Sequence, residues 1–217
     1  MAHIDFRERE INLKLVYYGP ALSGKTTNLR CLHEHAEAQS RGRLLVLDSA
    51  ADRTLFFDLL PLHFTASGAI VKLKVYTVPG QVIHNTTRKL VLKDVDGIAF
   101  IADSQLSAAR DNNEAYANLK HNLRELGMDP RDIPVVVQFN KRDLPNVRST
   151  VELQKTEEDD RPVYTASALR DEGVLTFFGL CKLTWDALET RHQVSQRMGI
   201  GRDEFLLKLG ALFGKKI

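Results

Sequence analysis

The sequence predicts an α/β fold: a mostly parallel sheet of six or seven strands with helices over both faces, in three layers. Short apolar runs alternate with segments of helical period along most of the chain. The loops best suited to hold a ligand each follow an apolar run, as ligand loops do at the carboxyl ends of parallel strands. No internal repeat or low-complexity tract interrupts the alternation.

Strands are expected near residues 13–18, 44–47, 70–78, 97–102, 135–139 and 163–165. A first helix should run from Lys25 to about Ala38. A later one carries Tyr116, Leu119, Leu123 and Leu126 at three- and four-residue spacing, and the last carries Leu175, Phe178, Cys181, Trp185 and Leu188 on one stripe. Residues 147–161, with the acidic run Glu157-Glu158-Asp159-Asp160, are expected as a solvated connector. The main domain should span 1–190. Residues 191–217 read as a polar linker, broken at Gly199 and Gly201, followed by an amphipathic helix bearing Phe205, Leu206, Leu209, Leu212 and Phe213 beside Lys208, Lys215 and Lys216. Burial of that stripe against protein is favoured over contact with an anionic membrane, since amphipathic stripes usually face a core.

Three loops carry chemistry. Gly19-Pro20-Ala21-Leu22-Ser23-Gly24-Lys25-Thr26 fits G-x-x-x-x-G-K-[ST], entered from an apolar run and opening a helix. Its glycines let backbone N–H groups at Gly19, Ala21, Leu22, Ser23 and Gly24 close around a polyphosphate. Lys25 neutralises the β/γ oxygens, the Thr26 hydroxyl is placed to ligate Mg²⁺, and Thr27 follows at the same helix start. Asn140-Lys141-Arg142-Asp143 follows the run 134–139 and reads a base. A carboxylate at Asp143 accepts both guanine donors, N1–H and N2–H₂, whereas adenine has no N1 donor. Asn140 should anchor the strand end to the phosphate loop or to guanine N7, and the Lys141 stem should lie along the base. Ser167, Ala168 and Leu169, in the third loop, let backbone N–H groups approach the base carbonyl.

With these loops in order, the chain resembles the Ras-like small GTPases of the P-loop NTPase class over about residues 11–190. The string Asp52-Arg53-Thr54-Leu55-Phe56-Phe57-Asp58-Leu59-Leu60-Pro61, with Thr77-Val78-Pro79-Gly80-Gln81, is similar to the MglA-type branch of bacterial polarity and gliding-motility GTPases. Most Ras relatives have D-x-x-G where this chain has Thr77 to Gly80, a departure that belongs to the MglA pattern. The aspartate it removes normally holds Mg²⁺ through a water. Either Thr26, Thr54 and phosphate oxygens hold the metal, or Asp52 or Asp58 restores a carboxylate, which is the preferred reading.

The resemblance implies a slow GTP-hydrolysing switch with GTP/GDP and Mg²⁺ as ligands. Gln81 would orient water, Arg53 would be an arginine finger supplied by the same chain, the Gly80 N–H would sense the γ-phosphate, and Thr54 would close on it through Mg²⁺. It also implies a roadblock-type MglB homodimer as activator, effector proteins that read the GTP form, and a register shift of a strand within residues 69–78 on exchange. Leu55, Phe56 and Phe57 are a docking face or pack on the sheet. A nucleotide-binding scaffold with negligible hydrolysis and a P-loop kinase of small molecules are the alternatives; Arg53 and Gln81 count against the first, Asn140 and Asp143 against the second.

Composition bounds the rest. At 217 residues, 43% hydrophobic, the chain buries a full core without disulfide staples. A net charge of +2 gives no nucleic-acid footprint. Cys31 and Cys181 lack metal-ligand spacing and suit reduced thiols, and His84 is expected as a solvated helix residue. The polar start and the lack of a long apolar stretch lead to an expected soluble, cytoplasmic protein, with recruitment to a cell pole left open. No cysteine for prenylation lies in the last residues.

Overall fold

The computed structural model describes residues 3–46, 57–155, 161–170 and 172–214. In chain order it contains β1 (His3–Asp5), β2 (Glu10–Tyr18), α1 (Lys25–His35), β3 (Leu45–Val46), β4 (Asp58–Ala66), β5 (Ala69–Thr77), α2 (Asn85–Leu92), β6 (Gly97–Asp103), α3 (Ala109–Glu125), β7 (Val135–Asn140), α4 (Thr150–Lys155), β8 (Val163–Thr165), α5 (Gly173–His192), α6 (Val194–Met198) and α7 (Arg202–Ala211). The sheet runs β3-β4-β5-β2-β6-β7-β8, with β1 paired to the start of β2. The β5-β2-β6-β7-β8 block is parallel, whereas β1, β3 and β4 join antiparallel.

The central strands bury both faces. Every residue of β7, and all of β6 but its last, is buried; β6 reads as an apolar run up to Ala102, and β7 as one interrupted by Gln138, whose Nε2 donates to Asn28 Oδ1 at 3.1 Å, before its terminal Asn140. In β2 the side chains sort by parity: Ile11, Leu13, Leu15 and Tyr17 enter the core under α1, α5 and α7, while Val16 and Tyr18 enter the one under α2 and α3. At the β4–β5 edge only one face is covered, and burial alternates along both strands.

Two strands beyond the six expected complete the sheet. One is β4, a nine-residue strand that pairs with β5 from Leu59–Tyr76 to Ala66–Ala69. Pro61 lies inside it, and the strand tolerates it because that residue's polar groups face outward: the Pro61 carbonyl accepts from Gly42 N at 2.8 Å, on the side away from β5. The turn at Ser67 and Gly68 has φ of 44° and 71°, the twist that closes a two-residue hairpin. The other is β1.

Helices differ in detail from the sequence pattern. On α5 the buried residues are Gly173, Val174, Thr176, Phe177, Leu180, Cys181, Thr184, Trp185 and Leu188; Leu175 is 62% exposed and Phe178 only partly buried. The helix is wedged between the sheet and α1 and α7, so its covered arc is wider than one stripe and rotated by a residue. The connector expected at 147–161 begins with α4, opened by a reciprocal cap in which Glu152 accepts from Ser149 N at 3.0 Å and Ser149 Oγ accepts from Glu152 N at 3.2 Å. The acidic run 157–160 lies outside the described residues.

Residues 191–202, expected as a polar linker, instead form the end of α5 and α6, with Val194, Met198 and Ile200 buried. Their spacing sinks one apolar edge into the protein while the polar residues face out. Phe205, Leu209, Leu212 and Phe213 then join the same core as Trp185 and Phe64. Phe205 stacks on Trp185 at 4.2 Å and 18° and meets Phe64 at 5.6 Å. Glu204 fastens the helix to the β4–β5 turn through Ser67 N at 2.7 Å and Ser67 Oγ at 2.6 Å. Phe205→Ala is therefore expected to cost about 3–5 kcal/mol of stability, read as a lower urea midpoint. A loss below about 1 kcal/mol would mean that α7 is not part of the core.

Candidate functional site

The three loops predicted to hold a ligand leave the carboxyl ends of β2, β7 and β8 and meet there. Asn140, the last residue of β7 and 2% exposed, joins them: its Nδ2 donates to Ser23 O at 2.8 Å and its Oδ1 accepts from Ala168 N at 2.9 Å. Gly24 caps α1 with φ of 98°, and a Cβ there would sit 2.1 Å from Asn140 Nδ2. Glycine is required by both the backbone angle and the close approach.

Two adjoining cavities open around these loops. The larger, about 460 Å³, is lined by Ala21, Lys25, Thr26, Asp58, Thr77, Gly80 and Gln81 among others. The smaller, about 250 Å³, is lined by Asn140, Lys141, Asp143, Ser167, Ala168 and Leu169. Leu22, Gly24 and Thr27 line both, so they form one cleft with two lobes.

In the larger lobe Lys25 is buried, and its Nζ donates to Pro20 O at 2.6 Å and Gly19 O at 3.1 Å. Burial lowers its pKa to about 7, with the Arg88 guanidinium pushing the same way and Asp58 opposing. A polyanion placed against it would restore its charge. Gly80 packs so tightly on the phosphate loop that a Cβ would lie 2.3 Å from Ala21 Cα. Gln81 follows, extended and exposed, at the rim.

The floor of that lobe holds a carboxylate. Asp58 Oδ2 accepts from Thr26 Oγ1 at 2.6 Å and from Thr77 Oγ1 at 2.9 Å, while Asp58 N donates to Thr77 Oγ1 at 2.9 Å. The residue standing at the D-x-x-G aspartate position thus orients a carboxylate carried by the neighbouring strand. Thr26 and Asp58 are hard oxygen donors, the type Mg²⁺ selects. Among the described residues no group of three or more His, Cys, Asp or Glu is arranged so that it could hold a metal ion by itself. A cation there would have to complete its shell with ligand oxygens and water, and the donor set fits that use.

In the smaller lobe Asp143 Oδ1 accepts from Ser167 Oγ at 2.5 Å. That hydrogen bond, with one from its own backbone and the nearby Arg170 and Lys141 charges, holds its carboxyl below the usual range. It is therefore ionised at neutral pH. Lys141, at φ 65°, is drawn across by Asp103, its Nζ 2.6 Å from Asp103 Oδ2. Asp58 is one of the two carboxylates expected from sequence to restore the metal site, whereas Asp103, which holds Lys141, and Arg30, on the wall of the larger lobe, belong to no motif that marks them. Arg53, Thr54, Asp52, Leu55 and Phe56 lie outside the described residues. Phe57 packs on the sheet, its ring 5.8 Å from that of Tyr76. His84 is half-buried at the end of a 3₁₀ turn rather than solvated on a helix.

A G-x-x-x-x-G-K-T loop and a second loop carrying the Asp143 carboxylate, joined through Asn140 at the carboxyl edge of a mostly parallel sheet, mark a Ras-like P-loop domain of the small-GTPase class. Over 192 residues the chain is 45% identical to the mutual gliding-motility protein MglA of Myxococcus xanthus (strain DK1622), an overlap that covers 87% of this chain and 98% of that one. The chain belongs to the MglA family. No protein-family model matches it. Among the described residues no helix is long and apolar enough to cross a membrane.

Proposed function

We propose that this protein is a guanine-nucleotide switch that binds GTP and GDP with Mg²⁺, hydrolyses GTP slowly, and controls cell polarity or motility through effectors that read its GTP form. The reading rests above all on Asn140 joining a phosphate-type lobe to a lobe with an ionised carboxylate. Gly19, Ala21, Leu22, Ser23, Gly24, Lys25, Thr26 and Thr27 would hold the phosphates, and Asn140, Lys141, Asp143, Ser167, Ala168 and Leu169 the base. Asp143 would take the paired N1–H and N2–H₂ donors of guanine, whereas against adenine, which has no N1 donor, its carboxylate would be left unpaired.

Mg²⁺ would be held by Thr26, with Thr54 from the loop outside the described residues, and when bound it would neutralise charge on the phosphate oxygens. Asp58, placed on Thr26, supplies the carboxylate that the Thr77 position lacks. Asp58→Asn is expected to weaken Mg²⁺-dependent GTP affinity by about 10–100-fold, as loss of an outer-sphere ligand partner does, while affinity in EDTA stays unchanged. Equal affinity in both conditions would remove Asp58 from the site.

Hydrolysis falls to Gln81, which would orient the attacking water from the rim, and to Arg53, which would stabilise the charge that develops on the transferred phosphoryl group. The exposed Leu22, on the wall of the larger lobe, and Ile83, two residues past Gln81 on its rim, support docking of a protein such as a roadblock-type MglB homodimer. A register shift of β5 would have to move an even number of residues, since its buried Ala69, Val71, Leu73, Val75 and Thr77 alternate with open positions. A cytoplasmic protein recruited to a cell pole is the location this reading implies. Single-turnover hydrolysis of GTP, run with and without an MglB homodimer, tests it. Hydrolysis accelerated by the partner is the expected result, and no hydrolysis in either arm would favour a nucleotide-dependent scaffold.

A further inference from the structure

Arg88 lies on α2 and is wholly buried, a rare state for arginine because the guanidinium gives up its water. Among the described residues no carboxylate lies within ion-pair reach of it. Its acceptors are neutral: Nε donates to Pro79 O at 2.9 Å, Nη2 to Gly80 O at 2.6 Å, and Nη1 to Asn118 Oδ1 at 2.8 Å. The guanidinium also sits over the Tyr18 ring, 5.3 Å from its centre. Asn118 Oδ1 in turn accepts from Tyr18 Oη at 2.5 Å. Asn122 Nδ2 reaches Tyr18 Oη at 3.1 Å and Asn85 Oδ1 at 2.8 Å. A polar network between α2, α3 and β2 therefore fixes the head of Arg88 from behind.

The two carbonyls it holds have a directional consequence. A trans peptide is planar, with its N–H opposed to its C=O, and among the described residues no peptide bond is cis. Pinning Pro79 O toward Arg88 turns the Gly80 N–H away from it; pinning Gly80 O does the same for Gln81. Gly80 and Gln81 line the larger lobe with Lys25 and Thr26, and Gly80 abuts Ala21 of the phosphate loop.

We propose that Arg88 is a positioning residue: by clamping the carbonyls of Pro79 and Gly80 it aims the N–H groups of Gly80 and Gln81 at the terminal phosphate of GTP, and so sets the preference for GTP over GDP. This rests on the guanine-nucleotide reading above. Its positive charge, held without a carboxylate partner among the described residues, also favours the state in which the lobe contains the more anionic ligand. Lysine carries the charge but not the planar fork that spans two carbonyls and an amide.

The test is calorimetric titration of wild type, Arg88→Ala, Arg88→Lys and Asn118→Ala with GDP and with a non-hydrolysable GTP analogue, in Mg²⁺. Arg88→Ala is expected to lower the analogue-to-GDP affinity ratio by about tenfold, the scale of one charge-assisted hydrogen bond. Arg88→Lys should fall between it and wild type, and Asn118→Ala should shift the ratio the same way by less. Should Arg88→Ala fail to fold, the other two variants decide. An unchanged ratio, including a parallel fall in both affinities or a lower Tm alone, would overturn the proposal and leave Arg88 a structural residue. Failure of wild type to take either guanine nucleotide would instead sink the underlying functional reading.

Discussion

Asp143→Ala is expected to erase the choice of guanine over adenine: a GTP-to-ATP affinity ratio of roughly 10⁴ or more, the scale for a site built to pair a substrate's own donors, should fall to within about tenfold of unity. The Ser167 hydroxyl, the largest of the influences on it, lowers the carboxyl further below its ordinary range, and the ionised carboxylate stands ready to accept two hydrogen bonds from one ligand edge. Guanine satisfies both; adenine presents an acceptor where the first donor should be. Truncation leaves phosphate contacts at Lys25 and Thr26 untouched, so nucleotide binding persists while its base selectivity is lost. Ser167→Ala should move the same way by less, because Asp143 keeps its own backbone hydrogen bond. A competition titration of labelled GTP with ATP measures both. Retained selectivity in Asp143→Ala would place the base elsewhere.

Arg53→Ala should lower hydrolysis by about 10³-fold, at the lower end of the range for an arginine finger. Gln81→Leu should lower it by about 10²–10³-fold, as removal of a transition-state hydrogen-bonding group does. Affinity for GTP should change little in either variant. The separation of rate from affinity is the informative part, since a group that acts only on the developing charge leaves ground-state binding alone. Single-turnover measurement with the activating partner present keeps the rate above an intrinsic floor of about 10⁻⁴ s⁻¹. Near-normal turnover in both variants would remove these residues from the catalytic set.

The parts of the fold and site that were legible from sequence are those whose chemistry is local. The phosphate loop writes its backbone requirements as two glycines and a lysine within eight consecutive positions, and Asn140 with Asp143 lie together on one loop. β6 and β7 read cleanly because strands buried on both faces are mostly apolar, Gln138 being the one polar residue inside β7 before its terminal Asn140. The role of Asp58 is not local. It depends on the hairpin register that sets Leu59 beside Tyr76 and so brings Asp58 against Thr77, and that hairpin went unread because Pro61 interrupts the strand. Its signal was nonetheless present in the alternation of Leu60, Leu62, Phe64 and Ala66 before Ser67-Gly68.

Similar reasons hide the other features. Val194, Met198 and Ile200 are too diluted by polar neighbours to stand out as a buried edge, and only their contact with α5 and the sheet makes them core. The cap that opens α4 was readable as Ser149-x-x-Glu152. Arg88 belongs to no motif in the sequence; nothing in its own segment announces Asn118, Tyr18 and the two carbonyls that surround it.

The central claim is that two separated loops grip one nucleotide, one at its phosphates and the other at a guanine base. Calorimetric titration of the purified protein with GTP, GDP and ATP in Mg²⁺ tests it most directly. Saturable binding of GTP and GDP with ATP excluded is the predicted result, and equal uptake of ATP and GTP, or uptake of none, would contradict it.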